Sequence, residues 1–273
     1  MATANDDRQM ALFCDFENVA LGVRDARYAK FDINLVLEHL LVKGSIIYKK
    51  AYCDWDRYKQ FKPEIHEAAF ELIEIPHARQ SGKNSADIRM VVDALDLCYT
   101  KPHIDTFVII SGDSDFSPLV SKLRENAKTV IGLGVKNSTS DLLINNCDEF
   151  IYYDDLVRSV EKVSKRRRGK KAASKPGAAK DKASVAKEGG DIEEALSLLL
   201  DTAEDLQTER DKVWGSMIKQ TLKRRRPGFN ESFYGFRTFS DLLEEAQSRG
   251  LLELELDERS GGYVVTVKNN EKP

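Results

Sequence analysis

Short apolar runs alternate with amphipathic stretches through the first half of this chain. Runs at 10–16 (MALFCDF), 45–53 (SIIYKKAYC), 71–76 (ELIEIP), 105–111 (DTFVIIS), 128–135 (KTVIGLGV) and 149–152 (EFIY) are rich in β-branched and aromatic residues, which predicts strands. Between them, apolar residues recur at helical spacing near 32–43, 63–70, 85–99 and 116–126, with a further short helix after Ser140. Asp32 stands where the first of these needs an N-cap, Gly44 where it needs a stop, and Pro63 suits a first helical turn. Strand alternating with helix predicts an α/β unit on a mostly parallel, doubly wound sheet. Four consecutive apolar residues, Phe107 to Ile110, suit a strand buried on both faces.

Beyond residue 190 the period shifts. Ile192, Ala195, Leu196 and Leu199 share one helical face, as do Val213, Met217, Ile218 and Leu222 before Pro227. A third helix, TFSDLLEEAQSRG, ends at Gly250, and LLELELDERSGGYVVTV alternates through a Gly-Gly turn as a hairpin. Three helices and a two-stranded wing predict a small winged-helix domain over 191–267.

Charge divides the two halves. Residues 158–190 carry 12 Lys and Arg against 3 Asp and Glu, a local +9 in a 273-residue chain of net charge −3. Lys, Ala, Ser, Gly and Pro dominate there with little to bury, which predicts a disordered basic linker. It serves either as a solvated spacer or as a polybasic tether that concentrates nucleic acid. At 41% hydrophobic residues the chain has enough apolar material for a real core. Its four cysteines lie far apart in apolar stretches, so buried reduced thiols are expected rather than disulfides or zinc ligands. No apolar run approaches the roughly 18 residues of a membrane span, and the N-terminus lacks a signal-peptide core. A cytoplasmic protein with no membrane association is the expectation.

Acids stand where the predicted strands end. Asp15 closes the first strand in LFCDFEN, Asp113 and Asp115 follow the fourth in SGDSDF, and Asp87 opens the helix of KNSADIRMVVDAL. In a doubly wound sheet these positions share one rim, and if strands one and four are neighbours, Asp15 and Asp113 face each other across the crevice. Each aspartate alone also suits a turn or helix cap. Together they suit a hard divalent cation, because Mg²⁺ takes a few carboxylates plus waters and substrate phosphate. Such an ion activates water and neutralises a phosphodiester. A haloacid-dehalogenase phosphatase would instead place Asp-x-Asp on the first strand, where Glu17 follows Phe16, and a Toprim domain would want Glu in place of Asp15. Neither His39, His66, His77 nor His103 has a nucleophile partner in the sequence, although His77 and Arg79 lie in the loop before Asp87.

The blocks LFCDFENV, GKNSADIRMVVDALDL and FVIISGDSDFSPLVSKLRENAKTVIGLG resemble the signature blocks of the NYN domain, in its LabA-like branch, within the PIN-like nuclease superfamily. The resemblance covers about residues 8–155. It implies a Rossmann-like sheet, a Mg²⁺- or Mn²⁺-dependent ribonuclease activity, and metal-site acids at Asp15, Asp87, Asp113 and Asp115. It further implies a phosphate or supporting contact for Asn18, a phosphate-orienting role for Lys83, and a lower-ranked acid at Asp93, which lies about 120° around an ideal helix from Asp87. Ser114, between the two aspartates, is read as a turn residue rather than a nucleophile and counts among the substrate-contacting candidates.

TFSDLLEEAQSRGLLEL ahead of the wing resembles the LOTUS (OST-HTH) domain, which implies RNA binding or docking of a protein partner. Lys219, Lys223, Arg224, Arg225 and Arg226 give that unit a basic helix end. They suit phosphate contacts, or they complement a helix C-terminus. Phe236 and Phe239 suit either base stacking or the core. Two functions stay open: a metal-dependent, endonucleolytic ribonuclease with RNA recruited by its C-terminal parts, and a catalytically silent RNA-binding adaptor. Oligomeric state has no signature in the sequence.

Overall fold

Strand β1 (Arg8–Asp15) sends Met10, Leu12 and Cys14 into one core and Ala11 and Phe13 into another. With helices on both faces no position from Met10 to Cys14 is solvated, so that stretch reads as an unbroken apolar run. The computed structural model describes residues 8–75, 85–160, 190–210, 212–257 and 261–267. The chain divides into two compact units, Met1–Lys165 and Arg166–Pro273.

In the first unit β2 (Gly44–Cys53), β3 (Glu71–Glu74), β4 (Thr106–Ile110), β5 (Thr129–Gly134) and β6 (Glu149–Tyr152) complete a six-stranded sheet. Its order is β3-β2-β1-β4-β5-β6, and every neighbouring pair is parallel. Strand order reverses between β1 and β4, which sit side by side with Cys14 opposite Ile110. That reversal is the topological switch point, where a crevice opens beyond the carboxyl ends of the strands.

One face carries α1 (Phe16–Asp25), α2 (Ile33–Leu41), α3 (Lys62–Glu67) and α7 over residues 153–160. They bury Phe16, Val19, Ile33, Val36, Ile65 and Leu156 against Leu12, Val108 and Ile131. The other face carries α4 (Ser85–Thr100), α5 (Ser117–Glu125) and α6 (Asp141–Asn146), packing Met90, Ala94, Val120 and Leu143 over Phe13, Phe107 and Ile109. Asp32 caps α2 by accepting from the N–H groups of Asn34 and Leu35, and Ser140 caps α6 through Leu142. All four cysteines are free and buried. Among the described residues no helix is long and apolar enough to cross a membrane.

Two local expectations change. Helix α1 was not among the predicted elements; it follows β1 with no loop, takes Phe16 from the expected strand and buries Phe16, Val19 and Val23 on one face. Gly44 does not stop α2. It begins β2, where a Cβ would meet the carbonyl oxygen of Arg8 at 2.3 Å, so glycine allows the two parallel strands to close up.

The second unit runs α8 (Ile192–Glu209), β7 (Val213–Trp214), α9 (Gly215–Arg225), α10 (Phe239–Ser248), β8 (Leu252–Leu256) and β9 (Tyr263–Val267). Its antiparallel sheet has the order β7-β9-β8. The helices and wing follow the winged-helix plan, with one strand more than the hairpin alone. Val213 and Trp214, expected in the second helix, pair instead with Val265 and Val264. Their shapes favour a pleated surface, and Gly215 starts the helix after them. Phe239 is buried and Phe236 packs against the same core, so the aromatics serve packing. Thr238 and Asp241 close a reciprocal capping box at the start of α10. Most of the basic linker, residues 161–189, lies outside the described residues.

Gly112, just past β4, lies against the loop that follows β5. A Cβ there would sit 2.3 Å from the carbonyl oxygen of Ser138, and Ser140 donates its N–H to the Gly112 carbonyl at 2.9 Å. Because the obstruction is backbone, Gly112→Ala is expected to cost about 1–3 kcal/mol. Urea unfolding checks this, and an unchanged midpoint would mean the two loops part without cost.

Candidate active site

The rim is built from the ends of β1 and β4. Asp15 is the last residue of β1 and the N-cap of α1, so its backbone direction is set by a strand and its side chain by a helix start. Its Oδ1 accepts the N–H of Asn18 at 3.3 Å and its Oδ2 accepts the hydroxyl of Ser111 at 3.1 Å. The Ser111 Oγ in turn accepts the N–H of Asp113 at 3.2 Å, and Asp113 Oδ1 accepts the N–H of Asp115 at 3.0 Å. Asn18 closes the circuit, its Oδ1 accepting the N–H of Gly112 at 2.9 Å. Two strands almost a hundred residues apart in sequence are laced together at the point where their acids emerge.

Asp87 lies in the first turn of α4 and completes the group from the other side of the crevice. Burial pushes the Asp15 carboxyl up to about 7, with the charges of Asp87 and Asp113 adding to it and the bonds from Asn18 and Ser111 opposing it. Burial also raises Asp87, to about 6, and the charges of Asp113, Asp115 and Glu17 push the same way. Asp15 thus feels Asp87 and Asp113, and Asp87 feels Asp113 and Asp115, as carboxylates gathered at one rim do.

The remaining candidates separate. Asp93 points into a pocket of cations: Tyr52 donates its hydroxyl at 2.8 Å, Lys50 its ammonium at 3.2 Å and Arg89 its guanidinium at 3.1 Å. Burial works against its charge, but these bonds and charges prevail and hold the carboxyl below its usual range. It is a satisfied anchor between α4 and β2, apart from the rim acids. Ser114 begins the 3₁₀ turn Ser114–Phe116 that Asp113 caps, and it lines a cleft with Asp87 and Asp115. Lys83, His77 and Arg79 lie outside the described residues. In the second unit Lys219 pairs with Glu231 at 2.7 Å and Arg225 with Asp205 at 2.5 Å, while Arg224 and Arg226 are exposed at the end of α9.

Two contributors escaped sequence reasoning. Ser111 is fully buried and bridges Asp15 to Asp113. Its signal was its place, the last residue before the glycine of SGDSDF. Glu17 acts on Asp87 through its charge and is itself met by Arg57 at 3.4 Å.

Carboxylate oxygens are the right donors for a hard cation, and the raised Asp15 and Asp87 mark a surplus of negative charge that such an ion would offset. Among the described residues, however, no group of three or more His, Cys, Asp or Glu is drawn close enough to share an ion. The two facts are compatible, because bare carboxylates repel and Asp15 and Asp113 turn oxygens toward backbone N–H groups.

The sequence model of the NYN domain matches residues 9–156, more than half of the chain. The chain belongs to the NYN domain family. NYN domains form part of the PIN-like nuclease superfamily, and the six-stranded parallel sheet agrees with that fold. An uncharacterized protein of Methanocaldococcus jannaschii is 26% identical over 140 residues, which are 51% of this chain and 55% of that protein. The match thus spans about half the length of this curated relative. A crystal structure of a Vibrio parahaemolyticus protein of unknown function is similar with a TM-score of 0.50 and 28% identity, covering 57% of this chain and 98% of that one.

The raised acids of the NYN domain make stability depend on pH. Asp15 moves from 3.8 to about 7 on folding, so between those values the folded state holds more protons than the unfolded state. Stability is then highest near the lower value and falls as pH rises toward 7. Melting temperatures in EDTA from pH 4 to 8 are expected to decline across this window, and Asp15→Asn should flatten the decline. Equal slopes for both proteins would mean Asp15 ionises freely.

Proposed function

We propose that this protein is a Mg²⁺- or Mn²⁺-dependent ribonuclease of the LabA-like NYN branch that cuts RNA endonucleolytically. The observation that carries the proposal is Asp15 at the β1/β4 switch point, raised by burial and by the charges of Asp87 and Asp113, with Asp87 raised in turn by burial and by Asp113 and Asp115. Asp15, Asp87, Asp113 and Asp115 would hold the cation, which when bound would supply an activated water and charge against the phosphodiester. Ser111 and Asn18 keep Asp15 and the Gly112 backbone in place, so the rim does not spread when its acids ionise. With Asp15 near 7 and Asp87 near 6, ion binding would displace protons and strengthen as pH rises.

Labelled RNA should be cut in Mn²⁺ and left whole in EDTA, and Asp113→Asn should lower the rate by at least about a hundredfold. Mn²⁺ should also raise the melting temperature of the wild type, because a ligand of the folded state shifts the equilibrium by mass action. Asp113→Asn should lose most of that gain. Cutting that survives both EDTA and the substitution would sink the assignment. The adaptor reading draws on one observation, that Asp15 and Asp113 both cap backbone N–H groups as any loop aspartate does. No Mn²⁺ shift and no cutting would favour it.

The proposed organisation is the NYN domain over 8–155, a basic linker over 158–190 and a LOTUS-like winged helix over 191–267. RNA recruitment is supported by the exposed Arg224 and Arg226 at the end of α9, whereas Lys219 and Arg225 are already engaged by acids. Phosphate contacts release counterions, so affinity for single-stranded RNA should fall steeply with salt. Replacing Arg224 and Arg226 by Ala in the full chain should reduce the log–log slope by roughly 1.4. An unchanged slope would reassign this helix end to a protein partner.

A further inference from the structure

A cleft of about 690 Å³ runs between α4 and α5 from the acid rim, bordered by Asp87 and Asp115 and continued by Ile88, Val92 and Leu142. Those three apolar side chains are 62%, 55% and 57% exposed, an arrangement that leaves apolar area in water beside a polar site. Ser117 lines the same cleft. It is 95% buried, taking its 5% exposure, and its hydroxyl has no hydrogen-bond partner. A buried hydroxyl left unpaired is unusual and asks for a ligand group that would satisfy it after a small rotation.

The charge of the cleft narrows the occupant. Its described lining carries two carboxylates and no cation, so it repels a phosphate and accepts a neutral body. A flat group with an apolar face and hydrogen-bonding edges fits aliphatic walls and a serine hydroxyl, and the volume lies within the usual range for small-ligand sites. Proteins that read unpaired RNA pack the faces of splayed bases and hydrogen-bond their edges, and here the faces would meet aliphatic side chains.

We propose that the α4–α5 cleft seats an unpaired nucleobase next to the scissile phosphate. The proposal rests on the ribonuclease reading for its substrate, while the seat itself is a property of Ile88, Val92, Leu142 and Ser117. A base inside a duplex is stacked and paired and cannot enter, so helical RNA would be excluded at this position.

Binding and turnover test it separately, both on the full chain. Methyl resonances of Ile88 and Val92 are followed while adenosine or uridine is added in EDTA, with ribose as control. Saturable shifts with a nucleoside and none with the control are expected, and the nucleoside shifts should weaken in Ser117→Ala and Val92→Gln, whose unfolding midpoints report that the fold is intact. No shift with either nucleoside, or equal shifts with ribose, overturns the proposal. Shifts that follow protein concentration instead would assign the stripe to a second copy of the chain and overturn it as well. In Mn²⁺, kcat/KM is compared for an RNA strand and the same strand with an abasic residue beside the cut. The abasic strand should be slower on the order of tenfold, the scale of one lost base contact. Val92→Gln should lose activity on the intact strand and little more on the abasic one. Equal rates on both strands overturn the seat. Nucleoside binding without any cutting would leave the seat standing and remove the ribonuclease reading.

Discussion

Burial of Asp15 beside Asp87 and Asp113 sets the terms for the rim. A carboxyl at the end of a central strand loses water, and its neighbours are of the same sign, so ionising it is costly. The structure answers with hydrogen bonds that leave the charge in place. Ser111, Asn18 and the start of α1 hold the group at a fixed position without neutralising it. A helix N-terminus at Asp15 adds a favourable dipole. The result is an acid site whose charge is tolerated but unpaid.

Asp93 makes the contrast clear. It belongs to the same helix as Asp87, yet six residues along it meets Lys50, Tyr52 and Arg89 and is fully compensated. One acid of α4 is thus anchored to the sheet and the other is left facing its own kind. Residue type does not distinguish them; Lys50 and Tyr52 of β2 do. The compensated acid fixes the angle of the helix, and the uncompensated one benefits from that rigidity.

The second unit distributes charge in the opposite way. Glu193, Glu194, Glu253 and Glu255 are exposed on α8 and β8, while Lys223, Arg224, Arg225 and Arg226 gather at the end of α9. A helix C-terminus already favours cations, so part of the cluster serves the helix itself. Arg225 is drawn off toward Asp205 of α8 and Lys219 toward Glu231, which leaves a narrower basic edge than the sequence suggested.

A doubly wound parallel sheet was legible in the alternating apolar runs and amphipathic stretches, because central strands buried on both faces carry few polar positions, whereas the order β3-β2-β1-β4-β5-β6 was set by tertiary packing. The acids at strand ends were equally legible, since Asp after an apolar run has few other places to go. Local capping was visible at Asp32 and Ser140 because a cap depends on its next three residues. What required the tertiary structure was everything that depends on a partner far along the chain. Ser111 becomes a bridge only when β4 lies against β1, Gly44 becomes a close approach only against Arg8, and Val213 and Trp214 become a strand only beside β9. Asp93 leaves the acid group only because Lys50 and Tyr52 lie beneath it. Short-range spacing determines which elements form and where acids emerge; the distances that separate a paired charge from an unpaired one are set by packing between elements, and only the folded chain contains them.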